Sequence, residues 1–122
     1  MAHKIMIVDD DPHVIESLGN ILRDAGYQVI AIEDGETALA KAQTELPSLI
    51  ILDLMMPRMP GLEICKALKN DIAIRYIPVI MLTGKTKEGD KIIGLETGAD
   101  DYITKPFNPR ELLLRIDRSL GN

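Results

Sequence analysis

The residues Ser48-Leu49-Ile50-Ile51-Leu52-Asp53-Leu54-Met55-Met56-Pro57 decide the fold. Leu49 to Leu52 are apolar without alternation, the pattern of a strand covered on both faces. The run leads directly into Asp53, a carboxylate at the edge of an apolar interior. Parallel sheets gather their working groups at the carboxyl ends of strands, where loops converge on a ligand. Asp53 is therefore the first candidate, although an acid at this place, taken alone, equally suits a cap after a strand.

Working outward, the same pattern recurs. Lys4 to Val8 is short, apolar and β-prone, and ends in Asp9-Asp10-Asp11. Asp11 followed by Pro12 reads as a helix N-cap with proline in the first turn. Val14, Ile15, Leu18, Ile21 and Leu22 then recur at helical spacing until Gly26. Tyr27 to Ile32 predicts a second strand, and Asp34-Gly35 opens a helix with Ala38, Leu39 and Ala42 on its apolar face, ended by Leu46-Pro47. Beyond the central strand, Pro57-Arg58-Met59-Pro60-Gly61 is a loop rich in breakers. A helix from about Leu62 to Asn70 buries Ile64, Cys65 and Leu68. Pro78 to Leu82 predicts a fourth strand ending at Thr83-Gly84-Lys85. Further on come a helix from about Lys87 to Thr97, a short strand Asp101–Thr104, and a last helix from about Pro109 to Leu120.

Five strands alternating with five helices through short loops imply an α/β fold, a doubly wound parallel sheet with helices on both faces. The 122 residues form one domain by length, without linker, repeat or low-complexity segment. A net charge of −5 argues against non-specific nucleic-acid binding by this domain. The single Cys65 excludes an internal disulfide. With no signal segment and no long apolar span, a cytoplasmic domain without membrane contact is expected.

In a flavodoxin-like strand order, 2-1-3-4-5, the first and third strands are neighbours and their ends flank the topological switch point. Asp9, Asp10 and Asp53 then meet there. Three carboxylates in one place repel, so they protonate or take up a cation. Oxygen ligands without His or thiolate suit a hard ion such as Mg²⁺. Thr83 and Lys105 end the fourth and fifth strands. Acids, a hydroxyl and an ammonium at adjacent strand tips make a site for a phosphoryl group.

The chain here resembles the receiver domain of a two-component response regulator, through V-D-D-D-P, I-I-L-D-L-M-M-P, P-V-I-M-L-T and G-A-D-D-Y-I-T-K-P-F in the family's order. The resemblance implies that Asp53 accepts the phosphoryl group of a phosphohistidine on a sensor histidine kinase or phosphotransfer protein. It implies direct Mg²⁺ ligation by Asp10, Asp53 and the backbone carbonyl of Met55, with Asp9 acting through water. Thr83 would hydrogen-bond one phosphoryl oxygen and Lys105 pair with another; Lys105–Pro106 would be cis. Tyr102 stands at the family's switch aromatic. Gly84 departs from the commoner Ala after the threonine, and Met55 and Lys85 occupy variable positions that tune phosphoryl lifetime.

Other readings are weaker. An aspartyl phosphohydrolase usually carries a second acid two residues after its nucleophile, where this chain has Met55. Three acids after the first strand would repel a flavin phosphate. A scaffold without phosphorylation fits poorly with an intact acid set. Met55, Met56 and Met59 lack the Cys or His of a soft-metal site and suit loop packing. The expected reading is a regulatory phosphoacceptor, not a turnover enzyme.

Lys91, Asp100, Asp101, Glu111, Arg115 and Arg118 form the expected output face, on the helices at 87–97 and 109–120 and the strand between them. The simple account is an intrahelical Glu111–Arg115 pair worth about 0.3–0.5 kcal/mol. The alternative is a phosphorylation-dependent homodimer pairing acids of one subunit with bases of the other. That pattern resembles receivers of regulators that carry a winged-helix DNA-binding domain.

Overall fold

The computed structural model describes residues 3–56, 60–84 and 98–121. Strands β1 (Lys4–Val8), β2 (Gln28–Ile32), β3 (Leu49–Asp53), β4 (Val79–Thr83) and β5 (Asp101–Thr104) form one sheet in the order β2-β1-β3-β4-β5. Every pairing is parallel. The expected order therefore holds, and the sheet reverses direction of growth between β1 and β3.

The apolar runs divide between two cores with the period of two that a strand imposes. Met6, Val8, Ile50, Leu52, Val79 and Met81 face one side, where α2 (Ala38–Glu45) contributes Ala38 and Ala42 and α3 (Gly61–Asn70) contributes Ile64, Cys65 and Leu68. Ile5, Ile7, Leu49, Ile51, Ile80, Leu82 and Ile103 face the other. There α1 (Pro12–Asp24) supplies Leu18 and Leu22, and α4 (Pro109–Ser119) supplies Leu112 and Ile116. Both faces of β3 are covered, which is why Leu49–Leu52 does not alternate.

Local signals set the boundaries. The carboxylate of Asp11 accepts the His13 amide at 2.9 Å and starts α1. Asn108 accepts the Arg110 and Glu111 amides and starts α4 in the same way. Gly26, at φ +95°, reverses the chain after α1. Asp34 opens a 3-10 turn over Gly35–Thr37 before α2 begins, so the α-helix proper starts later than the spacing suggests. The stretch 71–77, to which the sequence assigns no element, forms turns that bury Ile74 and Ile77; Asp71 accepts the Ala73 amide at 2.9 Å. The helix expected at 87–97, the residues Lys85 and Lys91, and the loop Pro57–Met59 lie outside the described residues. Among the described residues, no helix is long and apolar enough to cross a membrane.

Candidate functional site

The register fixes where the polar residues emerge. Val8 pairs with both Ile32 and Leu52, Asp53 with Leu82, and Thr83 with Thr104. Asp9, Asp53, Thr83 and Lys105 therefore leave adjacent strands at one carboxyl edge. The ladder runs slightly beyond the strands: Asp9 N–H donates to Ile32 O at 3.0 Å and Leu54 N–H to Leu82 O at 2.9 Å. Lys105 N–H donates to Thr83 O at 2.6 Å. These bonds hold the site residues as firmly as the sheet itself.

Asp9, Asp53 and Thr83 are the buried polar or charged residues among those described, with relative exposures of 0, 5 and 3 %. Asp10 is exposed at the rim. One carboxylate oxygen from each of Asp9, Asp10 and Asp53 lies within 4.8 Å of the others. The Lys105 ammonium spans the pair beneath, 3.0 Å from Asp9 Oδ2 and 3.4 Å from Asp53 Oδ1. Asp9 also accepts the Asp11 amide at 2.9 Å, and Asp53 Oδ1 accepts the Met55 amide at 3.2 Å. Lys105–Pro106 is cis.

Electrostatics follow from that packing. Burial pushes the Asp9 carboxyl above its ordinary range and the nearby Asp53 charge adds to the effect, against the Asp11 amide and Lys105, which favour ionisation. Burial alone would lower the Lys105 ammonium, but its hydrogen bond to Asp9 and the charges of Asp53 and Asp9 outweigh burial and raise it. Lys105 is therefore firmly cationic and carries one charge against three acids. The cluster retains an excess of negative charge that a divalent cation would offset.

The three acids fit Mg²⁺, and a separate atom points to an oxygen-bearing ligand. The acids offer only oxygen donors, and exposed Asp10 opens the otherwise buried cluster to solvent, where a hard ion can keep part of its water shell. The Thr83 hydroxyl is buried and has no hydrogen-bond partner among the described residues. An orphaned buried hydroxyl carries a cost, and a ligand oxygen in the site would satisfy it.

Tyr102, expected as a switch, is half-buried on β5 and packs against the core on the α2–α3 side. Met55 points outward with 73 % exposure, whereas Met56 is buried in the core. A Cβ at Gly84 would meet nothing within 4 Å, so alanine fits there equally well. On the expected output face, Arg115 is already paired within the chain, at 2.7 Å to Asp101 and 3.3 Å to Glu111. Asp100 turns instead towards α3, at 2.8 Å from Lys69 Nζ and 2.8 Å from the Val79 amide. Arg118 lines a groove with Tyr76, Pro78 and both of these aspartates. The Tyr27 hydroxyl, which donates to Asp117 at 2.7 Å, and Lys69, which also donates to the Arg75 and Ile77 carbonyls, escaped sequence reasoning. Neither pairing follows a local spacing.

Residues 5–117 match the family described as the response regulator receiver domain. The chain is 49 % identical over 116 residues to the alkaline phosphatase synthesis transcriptional regulatory protein PhoP of Bacillus subtilis, covering 95 % of this chain and 48 % of that protein. It thus spans about half the length of the curated relatives it matches. A crystal structure of a putative response regulator from Chloroflexus aurantiacus superposes with a TM-score of 0.96 at 38 % identity, over 100 % of both chains. The receiver domain of the sensor histidine kinase PA1611 from Pseudomonas aeruginosa, described with a magnesium ion in its active-site cleft, superposes at 0.92 with 29 % identity, again over 100 % of both chains. Fold, strand-edge chemistry and these likenesses agree, and the chain belongs to the response regulator receiver domain family.

Proposed function

We propose that Asp53 is the phosphoryl acceptor of this receiver and that Asp10, Asp53 and the Met55 carbonyl hold Mg²⁺, with Asp9 one water removed. A single observation carries the reading: two buried carboxylates, a bridging ammonium and a buried hydroxyl with no partner among the described residues converge at one strand edge. Receivers take their phosphoryl group from a histidine kinase. An Asp53 carboxylate oxygen would attack the phosphorus in line, and the P–N bond to the donor imidazole would break. Its electron pair returns to the ring nitrogen, which takes up a proton.

Each side chain has a distinct share. The Met55 amide holds Asp53 Oδ1, leaving Oδ2 to attack. Lys105 leaves its salt bridges far enough to pair with a phosphoryl oxygen, and the Thr83 hydroxyl donates to another. Bound Mg²⁺ would supply positive charge against the phosphoryl oxygens. Met55 two residues beyond Asp53 offers no general acid, which favours a regulatory phosphoacceptor over a turnover phosphatase.

The test is intact-mass spectrometry after incubation with acetyl phosphate, with and without Mg²⁺, beside Asp53→Ala. A Mg²⁺-dependent adduct absent from the variant is expected. No adduct on the wild type, together with failure to bind beryllofluoride, would overturn the reading.

The output is proposed to be a homodimer through Asp101, Glu111, Arg115 and Arg118; of the other residues expected on this face, Asp100 is engaged by Lys69 and Lys91 lies outside the described residues. Asp101, Glu111 and Arg115 already adjoin one another across β5 and α4, so an exchange of partners between subunits needs little rearrangement. A transcriptional output, as in PhoP, would then rest on parts of the protein beyond this domain, with no nucleic acid touching the receiver itself. A beryllofluoride complex that stays monomeric in sedimentation at high concentration would refute the dimer.

A further inference from the structure

Among the described residues, the start of α3 comes close against the end of β3. Gly61, the first residue of α3, donates its amide to Leu54 O at 3.1 Å. Its Cα lies so close to the end of β3 that a Cβ would overlap the Asp53 carbonyl oxygen and come within 2.8 Å of Leu54 Cα and 2.9 Å of the Asp53 carbonyl carbon. All three are backbone atoms, which cannot swing aside as a side chain does. The left-handed φ that demands glycine at Gly26, Gly98 and Gly121 plays no part at this position. Space, not backbone conformation, requires the glycine.

The peptide under Gly61 is the one that presents the acceptor. Leu54 is held from β4 through its amide and from α3 through its carbonyl, and the Asp53 carboxylate is tied to the next amide at Met55. We infer that Gly61 is a positioning residue for the phosphoryl-accepting site. By seating the start of α3 directly on the Asp53–Leu54 peptide, it fixes the arch that sets the Asp53 carboxylate and the Met55 carbonyl at their spacing. The inference rests on the proposed reading of Asp53 and Met55. Any side chain at 61 lifts α3 away from β3 or displaces that arch, and either movement spoils the two oxygens as a pair of ligands.

The experiment compares wild type, Gly61→Ala and Gly19→Ala for phosphoryl incorporation from acetyl phosphate across a Mg²⁺ titration. Gly19 is the control because the atoms nearest to a Cβ there belong to the guanidinium end of the long Arg23 side chain, not to backbone. For Gly61→Ala, half-saturation by Mg²⁺ should rise about tenfold or more and the rate at saturating Mg²⁺ should fall, because the ligand pair itself is disturbed. Gly19→Ala should match wild type in both. A folded Gly61→Ala with wild-type half-saturation and rate would overturn the inference, whereas a wild type that takes no phosphoryl group would overturn the functional reading instead. Should Gly61→Ala not fold, the wild type still decides. Its Gly61 and Leu54 amide resonances should shift on Mg²⁺ addition with one common midpoint while Gly19 stays fixed. A stationary Gly61 resonance would sink the inference.

Discussion

Replacing Asp53 by Asn should stabilise the metal-free protein while abolishing its phosphorylation. The attraction between Asp53 and Lys105 at 3.4 Å is about 5 kcal/mol at an effective dielectric near 20. Against it stands repulsion from buried Asp9, at no more than 4.8 Å, of about 3.5 kcal/mol or more. Asp10 is exposed to water and adds about 1 kcal/mol. The pair interactions nearly cancel. What remains is the cost of desolvating a carboxylate that is only 5 % exposed, a cost the neutral amide largely avoids. The isosteric Asn Oδ1 can still accept the Met55 amide. A gain of about 1–2 kcal/mol, or about 4–8 °C in Tm for a domain of this length, is expected in EDTA.

Mg²⁺ should reverse part of this order. At ten times its Kd, an ion that binds only the folded protein adds about 1.4 kcal/mol, or about 5 °C. Wild type should gain that amount and Asp53→Asn much less, so the two melting temperatures approach one another as Mg²⁺ is added. Differential scanning calorimetry in EDTA and across a Mg²⁺ series reads both effects. A lower Tm for Asp53→Asn in EDTA, or a wild-type Tm indifferent to Mg²⁺, would refute the reasoning.

Three further outcomes follow from the same geometry. Thr83→Val removes a buried hydroxyl that has no partner among the described residues, so stability should hold or rise by up to about 1 kcal/mol, while beryllofluoride should no longer shift the Tyr102 resonances. Tyr27→Phe deletes the hydrogen bond to Asp117 and should cost about 1–2 kcal/mol near neutral pH, measured by urea unfolding. Burial, then the bond to Asp117, pushes the Tyr27 hydroxyl from 10.0 up to about 12, so it ionises more readily unfolded; wild-type stability should fall as pH rises from 10 to 12, and Tyr27→Phe should lose that part of the slope. On the proposal that exposed Met55 shields the aspartyl phosphate from water, Met55→Asn should shorten its lifetime, followed by loss of the mass adduct; an unchanged rate would remove that role.

The sequence revealed the sheet because its signals are local. An unbroken apolar run specifies a doubly covered strand, and Asp11-Pro12 or Asn108-Pro109 marks a helix start through one hydrogen bond. The candidate site was legible for a related reason. Asp9 follows β1 and Asp53 ends β3, at buried points where packing alone would favour an apolar residue, and such a conflict between pattern and residue singles out candidates for function. Contacts that leave no conflict stayed hidden. Tyr27 and Asp117 lie 90 residues apart, and each is ordinary where it stands. Lys69 looks like one more solvated helix-end cation, yet it binds two carbonyls and Asp100 across the gap to β5. Gly61 looks like a loop breaker, because sequence shows which residue stands at a position and not how near another backbone passes.

These hidden contacts differ in kind from the visible ones. On the proposed function, Asp9, Asp53, Thr83 and Lys105 carry the chemistry at some cost to the fold: two buried acids, a hydroxyl without a partner among the described residues and a cation drawn partly out of water. A group that costs stability relaxes away unless its neighbours hold it. The ladder bonds at Asp9, Leu54 and Lys105, and the seat of Gly61 on Leu54, supply that restraint from backbone alone. Backbone restraint does not depend on side-chain charge, so it should persist when phosphate and Mg²⁺ enter and rearrange the charges around Asp53. The side chains of the site are then free to change partners, which a switch requires, while the strand ends that carry them stay in place.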